Sequence, residues 1–415
     1  MVKEGYKETE IGVIPADWAV STFGDKVKIY RGGSPRPITN YLTTSDAGIN
    51  WIKIGDVKSG EKYINKTEEK IIPEGVSKSR EVFSGDFILS NSMSFGRPYI
   101  LNIDGCIHDG WLTIQSYNEF FDKEYLYYLL SSDMVFAQYV SMAAGSSVKN
   151  LNKDKVSSLI VAIPTKSEQE KIAEALSDMD NLISSLEKLI EKKMAIKQGA
   201  MQELLTGKKR LSGFSGEIIY KPLKELCEVF VDGDWIESKD QSSDGIRLIQ
   251  TGNIGVGKYL DKDDKQRFIS EDTFKKLNCF EIFEDDVLVS RLPEPAGRAC
   301  ILPSSRKRRI TAVDCTIIRF KNYNPVLFVA YSQTKEYQNK VDMAMAGSTR
   351  QRISRKELGE IPIPVFPSKE EQDTIASILS DMDAEISALE QKLAKYKKLK
   401  QGMMQQLLTG KIRLI

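Results

Sequence analysis

The sequence predicts a mixed α/β protein of the α+β type. Two globules are separated by two long helices, which form an antiparallel coiled coil with approximate two-fold symmetry. Three observations lead there. A helical segment near 40 residues long occurs twice, an apolar seam runs along both copies, and the stretches between them repeat faintly as short β-like runs. The implied division is a first globule over 1–164, a helical region over 165–210, a second globule over 211–366 and a second helical region over 367–415.

The helical repeat is the strongest signal, and internal repeats decide a fold when they are present. KQGAMQELLTGK (197–208) returns as KQGMMQQLLTGK (400–411), an offset of 203. At that offset about 26 of 44 positions are identical between 168–211 and 371–414, including LSDMD at 176–180 and 379–383. Each copy follows a proline (Pro164, Pro367) and opens Thr165-x-x-Glu168 or Ser368-x-x-Glu371. That spacing predicts a capping box, in which hydroxyl and carboxylate satisfy orphan amides reciprocally.

Apolar residues then recur in alternating steps of three and four. They are Ile172, Leu176, Met179, Ile183, Leu186 and Ile190 in the first copy, and Ile375, Leu379, Met382, Ile386, Leu389 and Leu393 in the second. A mean period of 3.5 lets one helix bury its stripe against another. Each copy ends at Thr-Gly-Lys, with glycine suited to the left-handed residue after a helix. Helices of this length would run roughly 55–60 Å. Leu182 and Leu189 widen the first stripe where the second has Glu385 and Lys392, so they are expected either to touch a partner helix or to pack under a globule.

Between the helices the resemblance is weaker. WIKIGDVKSGEKYI (51–64) parallels RLIQTGNIGVGKYL (247–260), and AGSSVKNLNKDKVSSLIVAIP (144–164) parallels AGSTRQRISRKELGEIPIP (346–364). Short apolar runs broken by Gly, Pro, Asn and Asp predict strands and turns. Lys123–Met142 reads as helix.

Composition narrows the class. A hydrophobic fraction of 41% and a charged fraction of 28% fit a globular chain, and no apolar run approaches the roughly 18 residues that span a bilayer. The opening residues carry no export signal, and a cytoplasmic location is expected. Five scattered cysteines without a CxxC pair predict neither a disulfide frame nor a zinc site. His108 is the single histidine, and in a strand its side chain and that of Asp109 would point to opposite faces. No phosphate loop, paired carboxylates, metal-spaced ligands or Asn/Asp-Pro-Pro-aromatic motif is present, so no catalytic residues and no metal are predicted.

Net charge is +1, so contact with nucleic acid would need locally concentrated base. Matched helices with diverged globules suggest one scaffold task done twice and two different recognition tasks. Duplex DNA, with its own two-fold backbone symmetry and a turn of about 34–36 Å, suits such an object.

TEIGVIPADWAV (9–20), GFSGEI (213–218), the Glu-Gln helix starts (168–169, 371–372) and the two LLTGK ends form an ordered, duplicated set. In these the chain resembles the specificity subunit of type I restriction–modification systems over essentially its full length. The resemblance implies that the globules are target-recognition domains reading a split DNA site. It also implies docking of two adenine methyltransferase subunits, which use S-adenosylmethionine, and of a motor endonuclease subunit, which uses ATP and Mg²⁺. The chain itself would hold no cofactor and catalyse nothing. The rivals are a structural coiled-coil protein and a self-sufficient restriction enzyme.

Candidate DNA contacts follow from basic and small-polar loops. YRGGSPRP offers Arg31, Ser34 and Arg36 around two glycines. SMSFGRPY offers Ser92, Ser94 and Arg97, and its counterpart offers Arg291 and Arg298, arginine being the usual bidentate reader of guanine. GSSVKNLNK and GSTRQRISRK contribute Ser146, Ser147, Lys149, Ser348, Thr349, Arg350 and Arg352 as phosphate contacts. SSRKRR adds Arg308 and Arg309.

Overall fold

The structure, a computed structural model, describes residues 2–57, 60–91, 96–143, 151–262, 265–345 and 352–415. By contact the chain divides into two compact units, Met1–Leu186 with Lys392–Ile415, and Glu187–Gln391. Each long helix is therefore shared, beginning in one unit and ending in the other. Both helices have 39 residues, Lys166–Leu204 and Lys369–Leu407. Among the described residues no helix is long and apolar enough to cross a membrane.

In the first unit a five-stranded sheet runs in the order Lys28–Arg31, Trp111–Gln115, Phe87–Ser90, Pro98–Leu101, Tyr63–Ile64. A second sheet runs Leu42–Thr43, Glu69–Ile71, Ile49–Ile52, Gly105–Ile107, Arg80–Val82, with Ile49–Ile52 and Gly105–Ile107 parallel. Alternation along the central strand shows the layering. Phe87 and Leu89 pack with Tyr125, Leu126 and Leu129 of helix Lys123–Leu130, while Ile88 packs with Ile52 and Ile107 of the second sheet. Helices cover one face and the other sheet covers the opposite face, so this strand is buried throughout.

The second unit repeats the plan with four-stranded sheets. The first runs Cys227–Asp232, Cys315–Phe320, Val287–Ser290, Ala299–Ile301, and the second runs Gln241–Ser242, Arg267–Ile269, Ile246–Ile249, Arg309–Thr311. Val287 and Val289 pack with Leu327 and Phe328 of helix Pro325–Tyr331, and Leu288, beside Ile317 of the next strand, packs with Ile249 of the second sheet.

Within each unit the start of one long helix packs antiparallel against the end of the other. In the first, Ile172, Ala173 and Leu176 share a core with Leu407 and Leu408, and Lys400 meets Asp180 at 2.6 Å. In the second, Ile375, Ala376 and Leu379 share a core with Met201, Leu204 and Leu205, with Lys193–Glu385 at 2.6 Å and a Lys197–Asp383 pair. Burial along the two apolar stripes is uneven. Ile183, Leu186, Ile190 and Ile386 are buried, but Met179, Met382, Leu389 and Leu393 are only half-buried. Leu182 and Leu189 lie exposed, so they do not pack under a globule.

The helix starts correct the capping expectation. Thr165 and Ser368 hydroxyls do accept from the amides of Glu168 (3.4 Å) and Glu371 (3.1 Å). The carboxylates are engaged elsewhere. Glu168, only 3% exposed, is gripped by Arg413 (2.6 and 2.8 Å) and by the Trp18 indole N–H (2.9 Å), while Arg413 also holds Asp17. Glu371 is gripped by Arg210 (2.7 Å twice), which also donates to the Gly216 and Ser215 carbonyls. Both arginines lie just beyond a helix-ending glycine with positive φ, Gly410 (+67°) and Gly207 (+71°), which turns the chain back toward the partner helix.

The adjacent glutamines anchor the short helices. Gln169 accepts from the Asp122 amide (2.8 Å) and Gln372 from the Asn324 amide (3.2 Å). Removing one partner of a buried ion pair leaves an uncompensated charge. Arg413→Ala is therefore expected to destabilise the chain by about 3–5 kcal/mol, with Arg413→Lys milder, as read by urea unfolding.

Candidate nucleic-acid interface

In each unit the chain passes from one sheet to the other at the strand ends, and the described candidate residues lie in or beside these connections and the neighbouring hairpins. In the first unit, strand Lys28–Arg31 ends with Arg31 exposed, and Gly32 and Gly33 then donate to the carbonyls of Trp111 (2.8 Å) and Ile107 (3.1 Å). The chain is pressed flat here: a Cβ on Gly32 would lie 2.0 Å from the His108 carbonyl oxygen. Glycine is required by close approach.

Ser34 and Arg36 then converge on one carboxylate. Ser34 donates to Asp109 at 2.8 Å and Arg36 pairs with it at 3.2 Å. The Ser34 hydroxyl, chiefly, with His108 and Arg36 assisting, holds the Asp109 carboxyl below the usual carboxylate range despite partial burial. Arg36 itself is 80% exposed. Arg97 is half-buried, its guanidinium 5.8 Å from the Tyr99 ring centre.

His108 departs from the strand expectation. It lies just past strand Gly105–Ile107, where the chain turns, so its ring and the Asp109 carboxylate sit on the same side, 3.6 Å apart. The amides of Gly110 and Ile54 face its Nδ1 (2.6 Å) and Nε2 (3.1 Å). Two donors aimed at the ring disfavour the imidazolium. Burial, the largest influence, lowers the pKa against the pull of Asp109 and Asp56.

The second unit turns three candidates inward. Arg291 is 3% exposed, donates to the Val313 carbonyl (2.6 Å) and pairs with Asp232 (3.3 Å). Arg298 gives its hydrogen bonds to five backbone carbonyls, Thr251, Ile254, Leu292, Pro293 and Pro295, tying the hairpin loop to the neighbouring turn. Arg309 is buried and donates to Pro303 (2.7 Å). Donors used this way shape a loop and leave no fork for a base.

Arg352 pairs with Asp314 (2.8 Å), close to Arg291, whose amide donates to the Asp314 carbonyl. Arg308 is exposed and held by Glu281 and Glu271 (2.7 Å each), which push its pKa further up. Ser92, Ser94, Ser146, Ser147, Lys149, Ser348, Thr349 and Arg350 lie outside the described residues.

Sequence reasoning missed the carboxylates that hold these cations, among them Asp109, Asp232, Asp314 and Glu281. Each is remote in sequence from its arginine, and no spacing rule links them. It also missed a cleft of about 550 Å³ beside the Ser34–Ile38 loop, floored by Trp51 and rimmed by Lys53, Glu69 and His108. No signal in the sequence marks it, because Trp51 and Glu69 meet only through the pairing of their strands.

Residues 15–197 and 217–400 each match the type I restriction modification DNA specificity domain. The chain belongs to that family. Specificity subunits are the recognition components of these systems and are not catalytic by themselves. Similar proteins include two from Methanocaldococcus jannaschii. The protein assigned as the type I restriction enzyme MjaX specificity subunit is 26% identical, over 99% of this chain and 97% of the relative. The type I restriction enzyme MjaVIII specificity subunit is 23% identical, over 99% and 96%. A solved chain from a study of type I restriction–modification complex assembly and conformational transition covers 96% of this chain and 99% of its own, with a TM-score of 0.61 and 17% identity, which speaks to the fold alone.

One prediction tests the histidine geometry in this specificity subunit. With its pKa lowered by folding, His108 stays neutral while the unfolded chain takes up a proton, so stability falls as pH drops below the ordinary value of about 6.5. The chain has no other histidine. His108→Ala should therefore flatten the fall of unfolding free energy as pH drops below about 6.5, by at most about 1.4 kcal/mol per pH unit, as read by urea unfolding at a series of pH values.

Proposed function

We propose that this chain is the DNA-recognition subunit of a type I restriction–modification complex, reading a bipartite site with one domain per half-site. The observation that carries the reading is duplication with selective divergence. The Glu–Arg clasp, the Gln anchor and the long helices are near-copies, while the strand-end loops differ in charge and shape. On this reading the helices, continuous from one unit to the other, set the number of unread base pairs between two short words. Each half brings an adenine methyltransferase subunit to its word, and a motor endonuclease subunit joins for cleavage. S-adenosylmethionine, ATP and Mg²⁺ belong to those partners, and the base to be modified leaves the stack for the methyltransferase site. The setting would be the cytoplasm, where the host DNA and the partner subunits are found.

A net charge of +1 supports a division of labour in which partners add phosphate contacts. Arg31, Arg36, Arg97 and Arg352, together with the loops of Lys149 and Arg350, remain the proposed contacts. Arg291, Arg298 and Arg309 are reassigned to holding those loops in shape.

Co-expression with the methyltransferase partner, followed by mapping of methylated adenines, should give two short words separated by a fixed gap. A single continuous motif would overturn the reading. Methylation or cleavage by this chain alone would favour the self-sufficient enzyme, and loss of all sequence preference would favour the coiled-coil scaffold.

A further inference from the structure

The two units share a backbone framework at the strand ends but line it differently. Gly32 donates to Trp111 and Gly33 to Ile107; correspondingly, Gly233 donates to Cys315 (2.9 Å) and Asp234 to Thr311 (2.8 Å). A Cβ on Gly233 would lie 2.4 Å from the carbonyl oxygens of Thr311 and Ala312, the same close approach as at Gly32. Parallel pairing matches Ile52↔Ile107 with Ile249↔Thr311. The turns that follow are built alike, with the Lys53 amide donating to Asp56 (2.6 Å) and the Gln250 amide to Asn253 (3.0 Å).

These bonds fix an equivalence residue by residue. Trp51 corresponds to Leu248, Lys53 to Gln250 and His108 to Ala312. Antiparallel pairing of Trp51 with Glu69 and of Leu248 with Arg267 makes Glu69 correspond to Arg267. Where Ser34 and Arg36 follow the paired glycines in the first unit, Trp235 and Glu237 follow in the second. The hydrogen-bonded frame is retained and every wall residue is changed.

We propose that the cleft of the first unit is a base-reading pocket that takes the major-groove edge of a nucleobase. This inference rests on the bipartite-site reading above and names where the first domain reads. The exposed Leu42 and half-buried Ile38, with the edge of the buried Trp51 beneath them, give an apolar lining for a base edge or a thymine methyl. The rim supplies both donors and acceptors. Lys53 pairs with Glu69 at 2.8 Å and Arg36 with Asp109 at 3.2 Å.

Each rim cation has its own carboxylate, so the pocket is close to neutral and its side chains are pre-positioned. Neutral and pre-positioned suits discrimination between base edges better than neutralisation of phosphate, which calls for unpaired positive charge. In the second unit the corresponding lining, including a Trp235 that is 70% exposed beside Glu237, presents a different pattern, as a reader of a different word requires.

The test grafts the lining of one domain into the other. K53Q, E69R and H108A each install the residue that the same frame already carries in the second unit, and R36A alters a largely exposed side chain that folding does not need. Each variant, and the combined K53Q/E69R/H108A chain, is assembled with the methyltransferase subunit and its methylated adenines are mapped beside those of the unsubstituted complex. The expected result is a loss of about tenfold or more in preference at one or two adjacent positions of the first word, with the second word and the gap unchanged. Two intact words in every variant would overturn the pocket while leaving the bipartite reading standing. Uniform weakening at all sites, with both words intact, would also overturn it, because that is the signature of a phosphate contact. Absence of a split motif in the unsubstituted complex would instead overturn the underlying reading, and the pocket with it.

Discussion

A carboxylate buried at the start of each long helix is the constraint around which both units are built. Glu168 and Glu371 are almost wholly removed from water, and a charge so placed is tolerable only when paired and hydrogen-bonded. The partner in each case is an arginine carried past the end of the other long helix, delivered by a glycine in the left-handed conformation. The pairing therefore fixes direction as well as proximity. A parallel arrangement, or a register slipped by one turn, would leave the carboxylate buried and alone. Hydrophobic contacts such as Leu176 with Leu407 supply stabilisation, but they would tolerate several registers; the ion pair accepts one.

From that fixed point the fold extends outward. The glutamine beside each glutamate ties down the residue that caps the start of a short helix, Asp122 or Asn324, and that helix covers one face of the main sheet. The opposite face is covered by a second sheet, so the central strands Phe87–Ser90 and Val287–Ser290 are buried on both sides. Few surface positions on such strands can vary, and variation is pushed to their ends. There the chain crosses from one sheet to the other through close-packed glycines, and the side chains differ between units.

Much of this was legible in the sequence. The repeat, the helix lengths and the glycine ends follow from periodicity and punctuation, which are local signals; the antiparallel direction was expected from the approximate two-fold repeat, and periodicity does not encode it. What was misread shares a physical cause. The Thr165-x-x-Glu168 spacing resembles a capping box because the local geometry permits one, but a guanidinium 245 residues away makes a stronger, charge-assisted bond to the same carboxylate. Likewise Arg291 and Arg298 look like exposed hairpin cations until Asp232 and a ring of carbonyls are seen around them. Tertiary partners decide whether an arginine faces out or in, and sequence spacing does not encode them. The cleft at Trp51 was hidden for the same reason, since its walls come from four separate stretches of chain.

The pairing of cations with carboxylates bears on how recognition is divided. A protein that held DNA mainly through phosphate would gain by leaving lysines and arginines unpaired, because released counterions drive that binding. In this chain Arg36, Lys53, Arg308 and Arg352 each have a carboxylate within 3.2 Å, and the net charge is +1. Such pairs cost non-specific affinity, since a carboxylate must be displaced or desolvated before its cation can meet DNA. They also sharpen selection, because only a base edge that replaces the lost hydrogen bonds repays the exchange. A subunit with this economy would hold random DNA poorly and depend on partners for grip, while retaining the discrimination itself. That is the balance a recognition subunit requires, because a tight hold on the wrong sequence would place modifying and cleaving partners where they should not act.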